Sequence, residues 1–306
     1  MGGILCSSLT AQEPQHHEEG SVTSPGLRVE TDLVSFNVTV TDGHNKPIKG
    51  LKRENFRVFE DGVEQPIEHF GDDDYPYTMG LVLDRSGSMA FVIEDVYNAA
   101  FHTIRASKPD DEFFVITFNQ HADILQDFSS DRKLLQTSLK GVEAGGSTAL
   151  YDAIYTGLKH LERGQHDKKA LLVVTDGADN SSTLKFKDLV EFIRERHVAI
   201  YVVGFFESMG PASSLFEDTS EVDRLTKIAQ VTGGKAYFPK SMKECDIACI
   251  AIATELRRQY SLGYYPKNKN RDGSWREIRV EVVAPDSFGS ANLIARTREG
   301  YYAPTE

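Results

Sequence analysis

Apolar and polar residues alternate at positions 34–41, which is the period of a half-buried β-strand. Two further β-type runs, Phe56–Glu60 and Val63–Phe70, flank the dipeptide Asp61-Gly62, which favours a two-residue hairpin turn. Segment 27–72 is therefore predicted to be β structure. It contains too few strands to form a stable sheet alone.

From Tyr77 onward, short continuous apolar runs replace the alternation. Strands carry such runs when helices cover both faces of a parallel sheet. Amphipathic stripes at helical spacing separate these runs. The alternation predicts a doubly wound α/β domain over residues 77–259. The apolar runs are Met79–Leu83, Phe113–Phe118, Ala170–Val174 and Ala199–Val203, and the predicted helices lie within 93–104, 150–161, 223–231 and 241–259.

The β pattern returns in the last part of the chain, residues 260–306. Three strands are predicted there, at Tyr260–Tyr265, around 278–282 and at Leu293–Tyr302. This segment also lacks the strands for a sheet of its own. We expect it to pair with 27–72 in one β-sandwich that encloses the α/β domain; two separate β lobes are the alternative.

Oxygen-bearing side chains follow the predicted strands at three places. Asp84, Ser86 and Ser88 end the first strand of the α/β domain, Thr148 opens a helix, and Asp176 follows the Ala170–Val174 strand. The carboxyl ends of strands in an open α/β sheet meet at one edge, where such folds bind ligands. We expect the three loops to converge there.

Two carboxylates and three hydroxyls suit a hard cation such as Mg²⁺, with Mn²⁺ or Ca²⁺ as alternatives. Hydroxyls are neutral, so an ion held mainly by them keeps an electrophilic position that faces solvent. A carboxylate from another molecule is the natural sixth ligand. The residues therefore predict a site that binds an Asp or Glu of a protein or peptide partner through a metal.

These three loops resemble the metal-ion-dependent adhesion site of von Willebrand factor type A domains, and the resemblance extends from about Tyr77 to Gln259. It implies a Rossmann-like fold, with Ser86, Ser88 and Thr148 as direct ligands and Asp84 and Asp176 acting partly through water. The flanks resemble the VWFA-related proteins of acidobacteria. The matching segments are Asp84-Arg85-Ser86-Gly87-Ser88, Thr148, Thr175-Asp176-Gly177, Asn55–Gly62, Tyr260–Pro266 and Gly300-Tyr301-Tyr302.

Asp179 lies three residues after Asp176 and could support the metal ligands without contacting the ion. The alternative is an ordinary turn-forming Asp on the surface. The same alternative exists for the five principal residues, because Ser, Thr and Asp are common in turns and at helix N-termini.

Charge and motifs exclude several functional classes. The 46 acidic residues outnumber the 34 basic ones, for a net charge of −12, which argues against nucleic acid as a partner. The sequence contains neither a G-x-x-x-x-G-K-[ST] loop nor a G-x-S-x-G or H-E-x-x-H motif. A binding protein is expected rather than an enzyme. A metal-free scaffold and a metal-assisted hydrolase are the alternatives.

The first 26 residues are expected to be a leader remnant followed by a disordered arm. They predict a secreted, periplasmic or cell-envelope protein with a truncated signal peptide. No apolar run approaches the roughly 20 residues that span a bilayer, so no transmembrane segment is expected. Cys245 and Cys249 fall on a helical stripe and are predicted to be buried core thiols.

Overall fold

The structure is a computed structural model that describes residues 33–72, 74–176, 179–205, 219–285 and 292–305. The expected leader and arm, residues 1–26, lie outside the described residues, and so does Gly177 of the third loop. Export therefore stays a prediction. Within the described ranges, every helix is too short or too polar to cross a membrane.

Two four-stranded antiparallel sheets form a β-sandwich from both ends of the described chain. One sheet has the order β13-β1-β11-β4 and the other β14-β12-β2-β3, so each combines early and late strands and the expected pairing of the two segments is confirmed. The strands are β1 (Val34–Thr41), β2 (Phe56–Glu60), β3 (Val63–Gln65), β4 (His69–Gly71), β11 (Tyr260–Tyr264), β12 (Trp275–Val282), β13 (Ile294–Arg296) and β14 (Gly300–Tyr302).

The inserted α/β domain is built on a six-stranded sheet of order β10-β9-β8-β5-β6-β7, parallel except at the edge strand β7. Helices α1, α2 and α6 pack on one face, and α3, α4 and α5 on the other. The doubly wound prediction is confirmed. The elements are β5 (Tyr77–Asp84), α1 (Ile93–Ala106), β6 (Glu112–Phe118), β7 (Ala122–Ser129), α2 (Arg132–Ser138), α3 (Leu150–Leu161), β8 (Lys168–Thr175), α4 (Phe186–Arg194), β9 (Ala199–Gly204), α5 (Thr219–Gln230), β10 (Ala236–Tyr237) and α6 (Met242–Arg257).

Two predicted strands were wrong in extent. The run Val63–Phe70 is divided between β3 and β4, which belong to different sheets, because Pro66 between them has no N–H for a ladder. The run Leu293–Tyr302 is likewise divided between β13 and β14, and Arg298 between them forms an isolated bridge with Thr232 of the α/β domain. The boundaries proposed for the domains stay predictions, since the described residues belong to one compact unit.

A buried polar network joins the α/β domain to the sandwich. Glu255 of α6 is 2 % exposed and accepts hydrogen bonds from Tyr201 Oη of β9 at 2.8 Å and from Arg296 Nη2 of β13 at 2.6 Å. Gln259 Nε2 donates to Thr39 Oγ1 of β1 at 3.3 Å. Helix α6 is thus tied to the sandwich at its C-terminal end. Its thiols Cys245 and Cys249 are fully buried, as their stripe predicted.

Candidate functional site

The first and third loops meet at Asp84, the last residue of β5. This carboxylate is fully buried, and its two oxygens accept hydrogen bonds from different strands. Ser86 N donates to Oδ1 at 2.8 Å, and Thr175 Oγ1, at the end of β8, donates to Oδ2 at 2.7 Å. Because β5 and β8 are parallel neighbours, their carboxyl ends lie side by side, and Asp176 follows directly from the second of them.

The second loop is joined to the first by backbone hydrogen bonds. Gly87 N donates to Gly146 O at 3.0 Å, and Gly145 N donates to Arg85 O at 2.8 Å. Gly146 has φ +87°, a left-handed conformation that favours glycine, and a Cβ at this position would also displace the end of the Gln120 side chain. The loop leads directly to Thr148, which is 3 % exposed.

Two asparagines that the sequence analysis did not single out fix the Thr148 loop. Asn119 Nδ2 donates to Gly145 O at 2.8 Å, and Ala149 N donates to the backbone carbonyl of Asn119 at 2.7 Å. Asn180 Oδ1 accepts from Thr148 N at 2.9 Å, while Asn180 N donates to Thr148 O at 2.9 Å. Asn119 directly follows β6, so the strand-end rule that selected Asp84 could also have selected it.

Asp179 caps the N-terminus of α3. Its Oδ1 accepts from Leu150 N at 2.9 Å and from Ser182 Oγ at 2.5 Å. A carboxylate that accepts from the first free N–H groups of a helix caps it and complements its dipole. Asp179 therefore holds α3, which begins two residues after Thr148. Its predicted support of metal ligands stays a prediction.

The candidate metal ligands differ in their exposure to solvent. Ser86 is 1 % exposed, and its Oγ lies 3.1 Å from the Oγ of the exposed Ser88. Burial, together with the negative charge of Asp176, raises the pKa of Asp84 to about 6, and the hydrogen bonds from Thr175 and Ser86 oppose this rise. Two carboxylates are thus held close together at a poorly solvated sheet edge.

This donor set fits a hard cation. Its donors are all oxygens, and a divalent ion would relieve the repulsion between the carboxylates of Asp84 and Asp176. In the part of the chain that the structure describes, no three His, Cys, Asp or Glu side chains cluster so as to hold a metal ion. An ion at this edge would therefore depend on the hydroxyls of Ser86, Ser88 and Thr148 as well as the acids.

One large apolar side chain stands out beside these loops. Phe91, three residues after Ser88, is 97 % exposed. It ends the short 3₁₀-helix Gly87–Phe91, in which Met89 is buried and anchors the turn. Aromatic side chains, Phe included, are enriched in protein–protein interfaces, so this exposed ring is a candidate contact for a protein partner.

The comparisons with known proteins give the family. A profile of the von Willebrand factor type A domain matches residues 79–248, which is more than half of the chain. An uncharacterized protein of Borreliella burgdorferi is 23 % identical over 235 residues, covering 70 % of this chain. The match covers 64 % of that relative's own length.

Solved structures resemble the fold at low sequence identity. A von Willebrand factor type A protein from Catenulispora acidiphila is 13 % identical with a TM-score of 0.51, over 90 % of this chain and 74 % of that one. The corresponding domain of the type V pili tip protein Mfa5 from Porphyromonas gingivalis is 10 % identical with a TM-score of 0.48, over 58 % of this chain and 94 % of that one. By the profile match over the inserted α/β domain, this chain belongs to the von Willebrand factor type A domain family.

Proposed function

We propose that the protein is a binding module that captures an acidic group of a protein or peptide partner through a divalent metal ion. Asp84, Ser86, Ser88, Thr148 and Asp176 would hold the ion, which is Mg²⁺, or alternatively Mn²⁺ or Ca²⁺. The observation that carries this proposal is the hydrogen-bonded meeting of the three loops that bear these residues.

The residues of the proposed site would have different roles in binding the ion and the partner. Asp84 is oriented by Thr175 and by Ser86 N, so its oxygens keep fixed directions before an ion arrives. The exposed Ser88 hydroxyl lies on the solvent side of the buried Ser86 hydroxyl. When bound, the ion would supply a Lewis-acidic position for an incoming carboxylate. Phe91 would add apolar contact area on the same face.

Calorimetric titration of metal-stripped protein with Mg²⁺, Mn²⁺ and Ca²⁺ tests the metal site. We expect one ion per chain for wild type and at least about tenfold weaker binding for Thr148→Val, which removes a hydroxyl at nearly constant shape. Thr156→Val is the matched control, because its hydroxyl donates to the Asp152 carbonyl within α3. Absence of heat with all three ions would favour the metal-free scaffold instead.

The acidic partner is tested with a probe peptide. A short peptide carrying one Asp should bind the Mg²⁺-loaded protein, and the same peptide with Asn at that position should not. Binding that persists equally after the metal is removed would contradict the proposed bridge, because the carboxylate would then be recognised by other groups.

The hydrolase alternative predicts turnover. Wild type with Mg²⁺ is assayed on p-nitrophenyl phosphate and p-nitrophenyl acetate, beside Asp84→Asn. We expect no difference between the two proteins, since binding requires no general base. Turnover that Asp84→Asn abolishes would replace the binding proposal with metal-assisted hydrolysis.

A further inference from the structure

A cavity of about 460 Å³ lies between the sandwich and the opposite edge of the parallel sheet, where its strands begin. Strand β1 and the residue Arg298 line it from the sandwich side, and the starts of β8 and β9 line it from the α/β domain. This volume is within the range of roughly 300–1,000 Å³ that is usual for small-molecule sites. The candidate metal site lies at the far ends of the same strands.

Arg298 differs from the other buried arginines of the described chain. Arg257 and Arg276, at 9 % and 2 % exposure, both pair with carboxylates: the first with Asp74 and Asp111, the second with Glu60 and Asp272. Arg298 is 8 % exposed, yet no carboxylate of the described residues forms an ion pair with it.

The contacts of Arg298 leave its charge uncompensated. Its Nη1 donates to His197 Nδ1 at 2.8 Å, so that imidazole nitrogen is a neutral acceptor. The guanidinium lies 5.6 Å from the ring centre of Tyr301, and the buried Nε has no hydrogen-bond partner. Burial lowers the pKa of Arg298 to about 10, against the opposing influence of Tyr264 and Tyr301.

Glu60, a buried acid of the sandwich, is already in use. Glu60 Oε2 accepts hydrogen bonds from Tyr264 Oη and Tyr301 Oη, both at 2.8 Å, and the same carboxylate pairs with Arg276. The Tyr301 ring lies beside the Arg298 guanidinium without supplying a negative charge. A buried cation that lacks a counter-charge is costly, so an anion from outside the described chain would be strongly favoured there.

The cavity wall suits an anion attached to a small apolar body. Lys168 at the start of β8 adds a second cation, and its Nζ donates to Leu256 O at 3.0 Å. Asp167, the acid beside it, is exposed and therefore well solvated. Phe36 and Val198 supply apolar surface. We propose that this cavity binds a small ligand bearing a carboxylate or phosphate group, with Arg298 as its main charged contact and Lys168 as a second.

Calorimetry in metal-free buffer tests the site with phenyl phosphate, inorganic phosphate and benzyl alcohol. Phenyl phosphate should bind one per chain, inorganic phosphate more weakly and benzyl alcohol not at all, because the guanidinium requires an oxyanion and the wall rewards an apolar group. Arg298→Gln should weaken phenyl phosphate at least about tenfold. Arg279→Gln, whose side chain is 51 % exposed on β12, should bind as wild type does.

Three results would overturn the proposal: no heat from phenyl phosphate at millimolar concentration, equal binding by Arg298→Gln, or equal binding of benzyl alcohol. If circular dichroism shows that Arg298→Gln does not fold, Lys168→Gln decides, and it should weaken phenyl phosphate several-fold. Thr148→Val should leave this titration unchanged. The proposal for the cavity and the proposal for the metal site can therefore be refuted independently of each other.

Discussion

The hydrogen bond between Thr175 and Asp84 offers a quantitative test of how the sheet edge is organised. Thr175→Val replaces the hydroxyl by a methyl group and removes the hydrogen bond that crosses from β8 to Oδ2 of the buried carboxylate. A hydrogen bond to a charged group contributes about 1.5–3 kcal/mol, and a buried charged acceptor left without it costs at least as much. We expect the variant to lose about 2 kcal/mol of unfolding free energy.

Urea unfolding of metal-stripped protein, followed by circular dichroism, measures this loss. Thr254→Val is the control, because its hydroxyl donates at 2.9 Å to the Ile250 carbonyl on the exposed side of α6. We expect that control to stay within about 0.5 kcal/mol of wild type. If Thr175→Val also stays within that margin, Asp84 is not held by this bond and the argument for a pre-oriented carboxylate fails.

Three further predictions concern the junction, a buried charge and the exposed ring. Gly233→Ala should cost more than about 2 kcal/mol in urea unfolding, because φ is +76° and the new Cβ would lie 2.5 Å from the Thr297 carbonyl carbon. Gly50→Ala, with φ +80° in open space, should cost only about 1 kcal/mol; equal losses would refute the clash. Burial lowers the pKa of Lys168 to about 8, so above that pH the native state binds fewer protons than the unfolded state. The free energy of unfolding of wild type should therefore increase relative to that of Lys168→Met as the pH rises from 8 toward 10.5. A difference in unfolding free energy between the two proteins that does not change with pH over this range would contradict the lowered pKa of Lys168. Phe91→Ser should leave the urea midpoint unchanged while weakening peptide capture, and unchanged capture would remove Phe91 from the binding face.

The α/β core and the convergence of the loops were predictable because they follow from local patterns. Runs such as Ala170–Val174 have no polar face, and this alone indicates a strand covered on both sides. The carboxyl-end rule then brings Asp84 and Thr175 to one edge without knowledge of any contact. The hairpin at Asp61-Gly62 was equally local, and both residues have positive φ as that turn requires.

The remaining features depend on long-range packing, which the pattern does not record. The predicted strand Val63–Phe70 ignored Pro66, because its apolar residues continue the β period past the break. The division at Arg298 depends on a bridge to Thr232, which lies 66 positions earlier in the sequence. Arg298 itself looks like one more surface arginine in the sequence. Only its burial, and the absence of a carboxylate partner among the described residues, distinguishes it.

The position of β5 has a mechanical consequence. This strand runs from the junction with the sandwich at Tyr77 to the candidate site at Asp84, and parallel neighbours flank it on both sides along nearly its whole length. A tensile load applied at Asp84 and borne at Tyr77 would pull the strand lengthwise. Its ladder hydrogen bonds on both sides would then resist in shear together, instead of opening one after another. Strand β5 is thus placed to carry tension between a partner bound at Asp84 and the sandwich at Tyr77.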